Sequence, residues 1–290
     1  MQTMIQRLAL LSAAVLWCSG CGGYYIMNVP DQVARTDGQI VPVARLQRND
    51  MFVMAVPQTG SPMRFRLDGG ELKACGTDEL GYAAVQMPAP DSPGKHQLYV
   101  AMLDPVGEEV SATVPVFVWD PSRPVVAVDL DAVPPEGWTN SSDAAAALNR
   151  IARKANVLYF TRNSARTQQR VHERFVREGY PDGPILLWQR QRWHITREGR
   201  LGIPRVVIEQ RLLSQLPVLR DEFPNLTLGI CRSETAAQAF VDAGMRALVI
   251  GRPGLTGSNL LHRDSWADLA RGPLPSFVSP DAPTKRPQLP

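Results

Sequence analysis

Two aspartates stand one residue apart in Asp129-Leu130-Asp131, directly after the apolar run Val125-Val126-Ala127-Val128. A continuous run of that kind is what a parallel strand buried on both faces looks like. Acids that follow it fall at the carboxyl edge of the sheet, where open α/β folds bind ligands. Two carboxylates so close can divide labour, one as nucleophile and one as proton donor, provided that a cation or hydrogen-bond donors stabilise them. A second polar pair, Thr161-Arg162, closes the apolar segment Val157-Leu158-Tyr159-Phe160. If the two segments are neighbouring strands, a hydroxyl and a guanidinium reach the same edge and can hold the oxygens of a phosphate. By itself Asp-x-Asp describes a solvated loop equally well, and the Thr-Arg pair is what turns the reading toward an anion site.

Other reactive residue types are scattered. Cys231 has Arg232 beside it, a neighbour that lowers a thiol pKa, although a residue without any chemical role fits there too. His96, His172, His194 and His262 fall in different segments, and no two have the i, i+4 spacing of a helical metal pair. Trp188 and Trp193 flank Gln189-Arg190-Gln191-Arg192, an aromatic-edged loop or a segment covering the active edge.

The elements that must position these residues change character near Asp120. Upstream, short strands are predicted over 39–46, 51–56, 63–67, 81–87, 96–103 and 110–119, with Gly, Pro, Asn and Asp between them. From Val110 to Val118 every even position is apolar, the period of a strand with one face on a core. The spacing predicts an antiparallel β-sandwich over 35–120. Downstream, strands over 125–129, 156–161, 184–188, 226–231 and 247–251 alternate with helices over 142–154, 164–178, 206–223 and 234–243, the grammar of an α/β domain with a mostly parallel sheet. That domain spans 121–271; Pro217 should kink its third helix, and 272–290 form a Pro-rich flexible tail.

An aspartate pair after the first strand and a Ser/Thr after the second resemble the first two motifs of the haloacid dehalogenase superfamily. A closer likeness runs through Thr77-Asp78-Glu79-Leu80-Gly81-Tyr82, Trp119-Asp120-Pro121, Tyr159-Phe160-Thr161-Arg162, Gly179-Tyr180-Pro181-Asp182-Gly183-Pro184-Ile185-Leu186-Leu187 and Glu222-Phe223-Pro224-Asn225. Together these look like the actin-patch-associated phosphatidate phosphatases and their lipin-type relatives, over roughly residues 35–255. The resemblance implies a haloacid dehalogenase-like (Rossmannoid) parallel-sheet domain preceded by an antiparallel β-sandwich. It further implies Asp129 as nucleophile, Asp131 as acid/base, Thr161, Arg162 and Arg211 around the phosphoryl oxygens, and magnesium on Asp129 and Asp131.

The departures fall on that chemistry. Asp131 continues into Ala132-Val133-Pro134 where the family has Asp-Thr-Val, and Arg205 or Arg211 stands in for its lysine. Its fourth motif aligns with Ile230-Cys231-Arg232-Ser233-Glu234, so that Cys231 and Ala236 replace the expected acids and only Glu234 remains nearby. Magnesium needs several oxygen ligands in near-octahedral geometry, and this set is thin.

At the N-terminus Arg7 precedes an apolar run from Leu8 to Trp17, shorter than the roughly 20 residues of a membrane span. Residues 1–20 read as a signal peptide, and Ser19-Gly20-Cys21 resembles the bacterial lipoprotein processing site, with Cys18 where Leu is usual. Lipid on Cys21 would tether the chain through a linker over 21–34 to a membrane of the bacterial cell envelope; a plain secreted protein is the alternative. With Cys21 modified, Cys75 and Cys231 are the mature thiols, neither a disulfide framework nor a zinc site. The 290 residues carry 31 basic and 28 acidic side chains, a net charge of +3 that argues for no nucleic acid. Three functions stay open: a phosphate-ester or phospholipid head-group binder with impaired catalysis, an active phosphatase, and a protein-binding lipoprotein that works through the sandwich.

Overall fold

The structure, a computed structural model, describes residues 24–49, 55–162, 168–187, 193–196, 205–208, 216–251 and 256–277. It divides into two compact units. The first comprises Met1–Val29, Pro42–Val85 and Leu98–Thr113, and the second Pro30–Val41, Gln86–Gln97 and Val114–Pro290.

In the first unit Val43–Asn49 pairs antiparallel with Tyr24–Asn28, Ala55–Pro57 and Tyr82–Ala84. Pro62–Leu67 pairs antiparallel with Leu72–Gly76 and with residues 98–101. Alternation decides which residues go inside: Ala44 and Leu46 from one strand, Met63 and Phe65 from another, and Leu98 and Val100 from a third are fully buried.

The second unit is built on six parallel strands. They are β1 (Val125–Asp129), β2 (Asn156–Thr161), β3 (Ile185–Leu187), β4 (Leu226–Cys231), β5 (Arg246–Ile250) and β6 (Leu260–Arg263), in the spatial order β3-β2-β1-β4-β5-β6. All five residues of β1 are buried because both faces are covered. Val126 and Val128 pack into one core with Val157, Tyr159, Leu228, Ile230 and Leu248. Val125 and Ala127 pack into the other with Leu158, Phe160, Leu226 and Val249.

Helices α1 (Ser141–Ala152), α2 (Gln168–Glu178) and α5 (Trp266–Arg271) contribute to the first core, and α3 (Leu216–Glu222) and α4 (Glu234–Asp242) to the second. In α1 the buried Ala144, Ala147, Leu148 and Ile151 repeat at i, i+3, i+4 and i+7, one face of a helix. Close packing explains a glycine inside β4. A side chain at Gly229 would begin 2.2 Å from the Phe240 ring of α4, so only hydrogen fits.

The Gly-Tyr-Pro-Asp-Gly-Pro segment proves to be a folding device. Gly179, at φ +72°, ends α2 with the Tyr180 amide donating to the Phe175 carbonyl at 2.9 Å, a left-handed cap. Gly183 then crosses β2 so closely that a Cβ would lie 2.1 Å from the Val157 carbonyl oxygen.

These observations correct the expected fold class. The described chain is mostly β, with antiparallel pairing throughout the first unit and again in the second, where Trp193–Thr196 pairs with Arg205–Ile208 and Gln39–Ile40 with Met87–Pro88. One sheet of six parallel strands exists, but it is not the haloacid dehalogenase-like (Rossmannoid) domain expected from the alternation. The helix expected over 206–223 shows the physical reason: Val206-Val207-Ile208 is β-branched and forms a strand, and only Leu216–Glu222 is helical. Pro217 falls in the first turn of that helix, where its missing N–H is tolerated, and therefore starts a helix rather than kinking one.

Candidate functional site

Parallel pairing brings the predicted residues to one edge. Asp129 is the last residue of β1 and pairs in register with Phe160, so Thr161 and Arg162 emerge beside it from β2. On the other side Val128 pairs with Ile230, which puts Cys231 next to Asp129. The chain leaves β1 through a 3₁₀ turn over Leu130–Ala132, capped by Asp129 Oδ1, which accepts the Asp131 amide at 3.4 Å. That turn swings Asp131 outward while Asp129 stays in the sheet. The Asp129 side chain is 0% exposed and the Asp131 side chain 50%.

Arg162, with its side chain 41% exposed, reaches over both acids. Its guanidinium lies 3.0 Å from Asp131 Oδ2 and 4.0 Å from Asp129 Oδ2. Thr161 reaches the same strand end but is buried, which leaves Arg162 and Asp131 as the solvent-facing polar groups of this set. Arg211 lies outside the described residues, as does Cys21.

The neighbouring positions do not add reactive groups. Burial first, and the Asp129 charge second, push the Cys231 thiol up to about 12, so it is a neutral core group and not an activated nucleophile. Ser233 caps α4 by accepting the Ala236 amide at 3.2 Å, and Ala236 is buried with no donor to offer. Glu234 is exposed in the first turn of α4 and is not turned toward Asp129. Among the described residues no three His, Cys, Asp or Glu side chains gather as a metal site.

The residues present therefore do not fit magnesium. Asp131 already faces a guanidinium, the Cys231 thiol keeps its proton, and Ala236 supplies nothing, which leaves one buried carboxylate where about six oxygens are needed.

Sequence reasoning missed a buried pair elsewhere in the second unit. His172 Nε2 on α2 lies 2.7 Å from Asp31 Oδ2, which also accepts the Ile185 amide at 2.7 Å. Asp31 thus ties residues 30–35 to α2 and the start of β3. Their separation in sequence, 141 positions, hid them.

No family model matches the chain, and no curated protein matches it. Among solved structures it is similar to a carbohydrate acetylesterase from Xanthomonas citri, with TM-score 0.36 and 13% identity over 84% of this chain and 73% of that one. It is also similar to the tandem immunoglobulin repeats of Dlar, with TM-score 0.26 and 12% identity over 38% of this chain and 60% of that one. A third similarity is to a bacterial immunoglobulin-like domain of the M. primoryensis ice-binding adhesin, with TM-score 0.22 and 16% identity over 34% of this chain and 99% of that one. None of the three is a haloacid dehalogenase-type or lipin-type protein, in keeping with the corrected fold class.

Proposed function

We propose that this chain is an envelope lipoprotein, anchored through Cys21, whose parallel sheet binds a phosphate ester or phospholipid head group at its carboxyl edge without hydrolysing it. The observation that carries this reading is the half-exposed Arg162 guanidinium, held over the strand ends 3.0 Å from Asp131 and 4.0 Å from Asp129. A guanidinium fixed in that way is a ready partner for phosphate oxygens, since its planar fork is already oriented.

The same geometry argues against turnover. A carboxylate with no exposed surface cannot approach phosphorus in this arrangement, and Asp131 is committed to an ion pair. Without a cation, the charge that develops on the transferring group goes unneutralised, and such stabilisation is worth several kcal/mol.

The test is a joint measurement of glycerol phosphate binding and of phosphate release from a panel of phosphate esters, on wild type and Arg162→Ala. Binding that weakens in Arg162→Ala, with no release from either protein, is the expected outcome. Release that depends on Asp129, or binding indifferent to Arg162, would overturn it.

A further inference from the structure

We infer that the head group recognised at this edge is a zwitterion, a phosphate ester carrying a primary ammonium a few atoms away, as in phosphoethanolamine. This rests on the phosphate-ester reading above and narrows it.

The argument is one of charge. Asp129, Asp131 and Arg162 together carry two negative charges and one positive, and the guanidinium is shared between both carboxylates, at 4.0 and 3.0 Å. A simple phosphate that engages Arg162 takes this positive charge for itself. It leaves two carboxylates facing a new anion, one of them fully buried, and a buried charge stripped of its partner is strongly unfavourable. Cys231 does not relieve this, because its thiol already holds its proton in the field of Asp129. The donor set does not fit magnesium, so the compensating positive charge has to arrive with the ligand.

An ammonium group meets that need. It carries three N–H donors for the acids that Arg162 releases, while the phosphate of the same molecule takes the guanidinium. Spacing limits the choice. Arg162 spans only 3.0 and 4.0 Å to the two carboxylates, so the ligand's opposite charges must sit within a short linker of each other. Chemistry limits it further, because a quaternary ammonium has no N–H to donate, and phosphocholine should bind less well than phosphoethanolamine.

The experiment is calorimetric titration of full-length Cys21→Ala protein with phosphoethanolamine, glycerol phosphate, ethanolamine and phosphocholine. Flotation with phosphatidylethanolamine, phosphatidylcholine or phosphatidate vesicles distinguishes a lipid head group from a free ester. Phosphoethanolamine should bind roughly ten-fold or more tighter than glycerol phosphate or ethanolamine. Asp131→Asn, a half-exposed position, should erase that preference, and Arg162→Ala should weaken both phosphate ligands. Equal binding of phosphoethanolamine and glycerol phosphate to wild type overturns the zwitterion inference and leaves the phosphate-ester reading standing. Binding of neither, or ethanolamine binding as tightly as phosphoethanolamine and indifferent to Arg162→Ala, overturns both.

Discussion

Asp129→Asn separates charge from shape at the site. Asparagine keeps an oxygen in place of Oδ1, so the cap on the Asp131 amide survives and the 3₁₀ turn should be retained. What disappears is one negative charge that lies 4.0 Å from the guanidinium on which a phosphate would rest. A phosphate on Arg162 would sit about 5 Å from that carboxylate, and two unit charges at this distance in partly solvated surroundings repel by about 1 to 3 kcal/mol. Arg162 is 41% exposed, and screening at such a surface favours the lower part of that range. Glycerol phosphate affinity should therefore rise about 5- to 30-fold in Asp129→Asn, since 1.4 kcal/mol is ten-fold. The preference for phosphoethanolamine over glycerol phosphate should narrow in the same variant. The assay is titration at fixed, low ionic strength, repeated at high salt, where the gain should shrink. Unchanged or weaker glycerol phosphate binding in the variant would refute the charge argument. Ester hydrolysis that is present in wild type and lost in Asp129→Asn would refute the non-catalytic reading and make Asp129 the nucleophile.

Four further outcomes are expected. Because Cys231 is held protonated up to about 12 in the folded chain, against about 8.5 for a free thiol, the unfolded state loses this proton first. Stability contributed by this group should then be complete below about pH 8.5 and fall as pH rises toward 12, by up to about 4 kcal/mol; urea melts at pH 8 and 10.5 should show a steeper loss in wild type than in Cys231→Ala. Calorimetry should find no saturable magnesium site at roughly millimolar or tighter affinity, and a tight site abolished by Glu234→Ala would show the donor-set argument to be wrong. Gly229→Ala pushes a methyl to 2.2 Å from the Phe240 ring and should destabilise the second unit by about 3 kcal/mol, read as a shifted denaturant midpoint; an unshifted midpoint would mean that α4 yields freely. Metabolic labelling with a fatty acid analogue should mark wild type and spare Cys21→Ala, and equal labelling of both would end the lipoprotein proposal.

How much of this was legible in the sequence depended on whether a feature was local. Continuous apolar runs such as Val125-Val126-Ala127-Val128 announce strands buried on both faces, and the strands fall at Val125–Asp129, Asn156–Thr161 and Leu226–Cys231 as expected. The stretch after Arg205 was misread because a helical period can be drawn through Val206-Val207-Ile208 and the leucines beyond it, although β-branching and Pro217 both pointed to a strand followed by a later helix start. A fold class inferred from alternation alone inherits each such error, and the antiparallel pairing in the second unit shows no alternation at all. Gly179 and Gly183, read as a family signature, owe their presence to a helix cap and to a close crossing over Val157, which any chain folding this way would need.

The site was legible in its membership but not in its state. That Asp129, Asp131 and Arg162 share an edge follows from two apolar runs that end in polar residues, and parallel pairing delivers it. Which of them faces water does not follow, because one residue of 3₁₀ turn decides that Asp131 is half exposed and Asp129 sealed. Nor does sequence show that Arg162 faces the acids, and this changes the chemistry most. The residues that suggest an attacking pair and a phosphate clamp neutralise one another instead, and Cys231, whose neighbour Arg232 suggested activation, is governed by burial and by Asp129. A site whose only described cation is already shared by two carboxylates can accept an anion only if that anion brings its own positive charge, or if one of the carboxylates is lost.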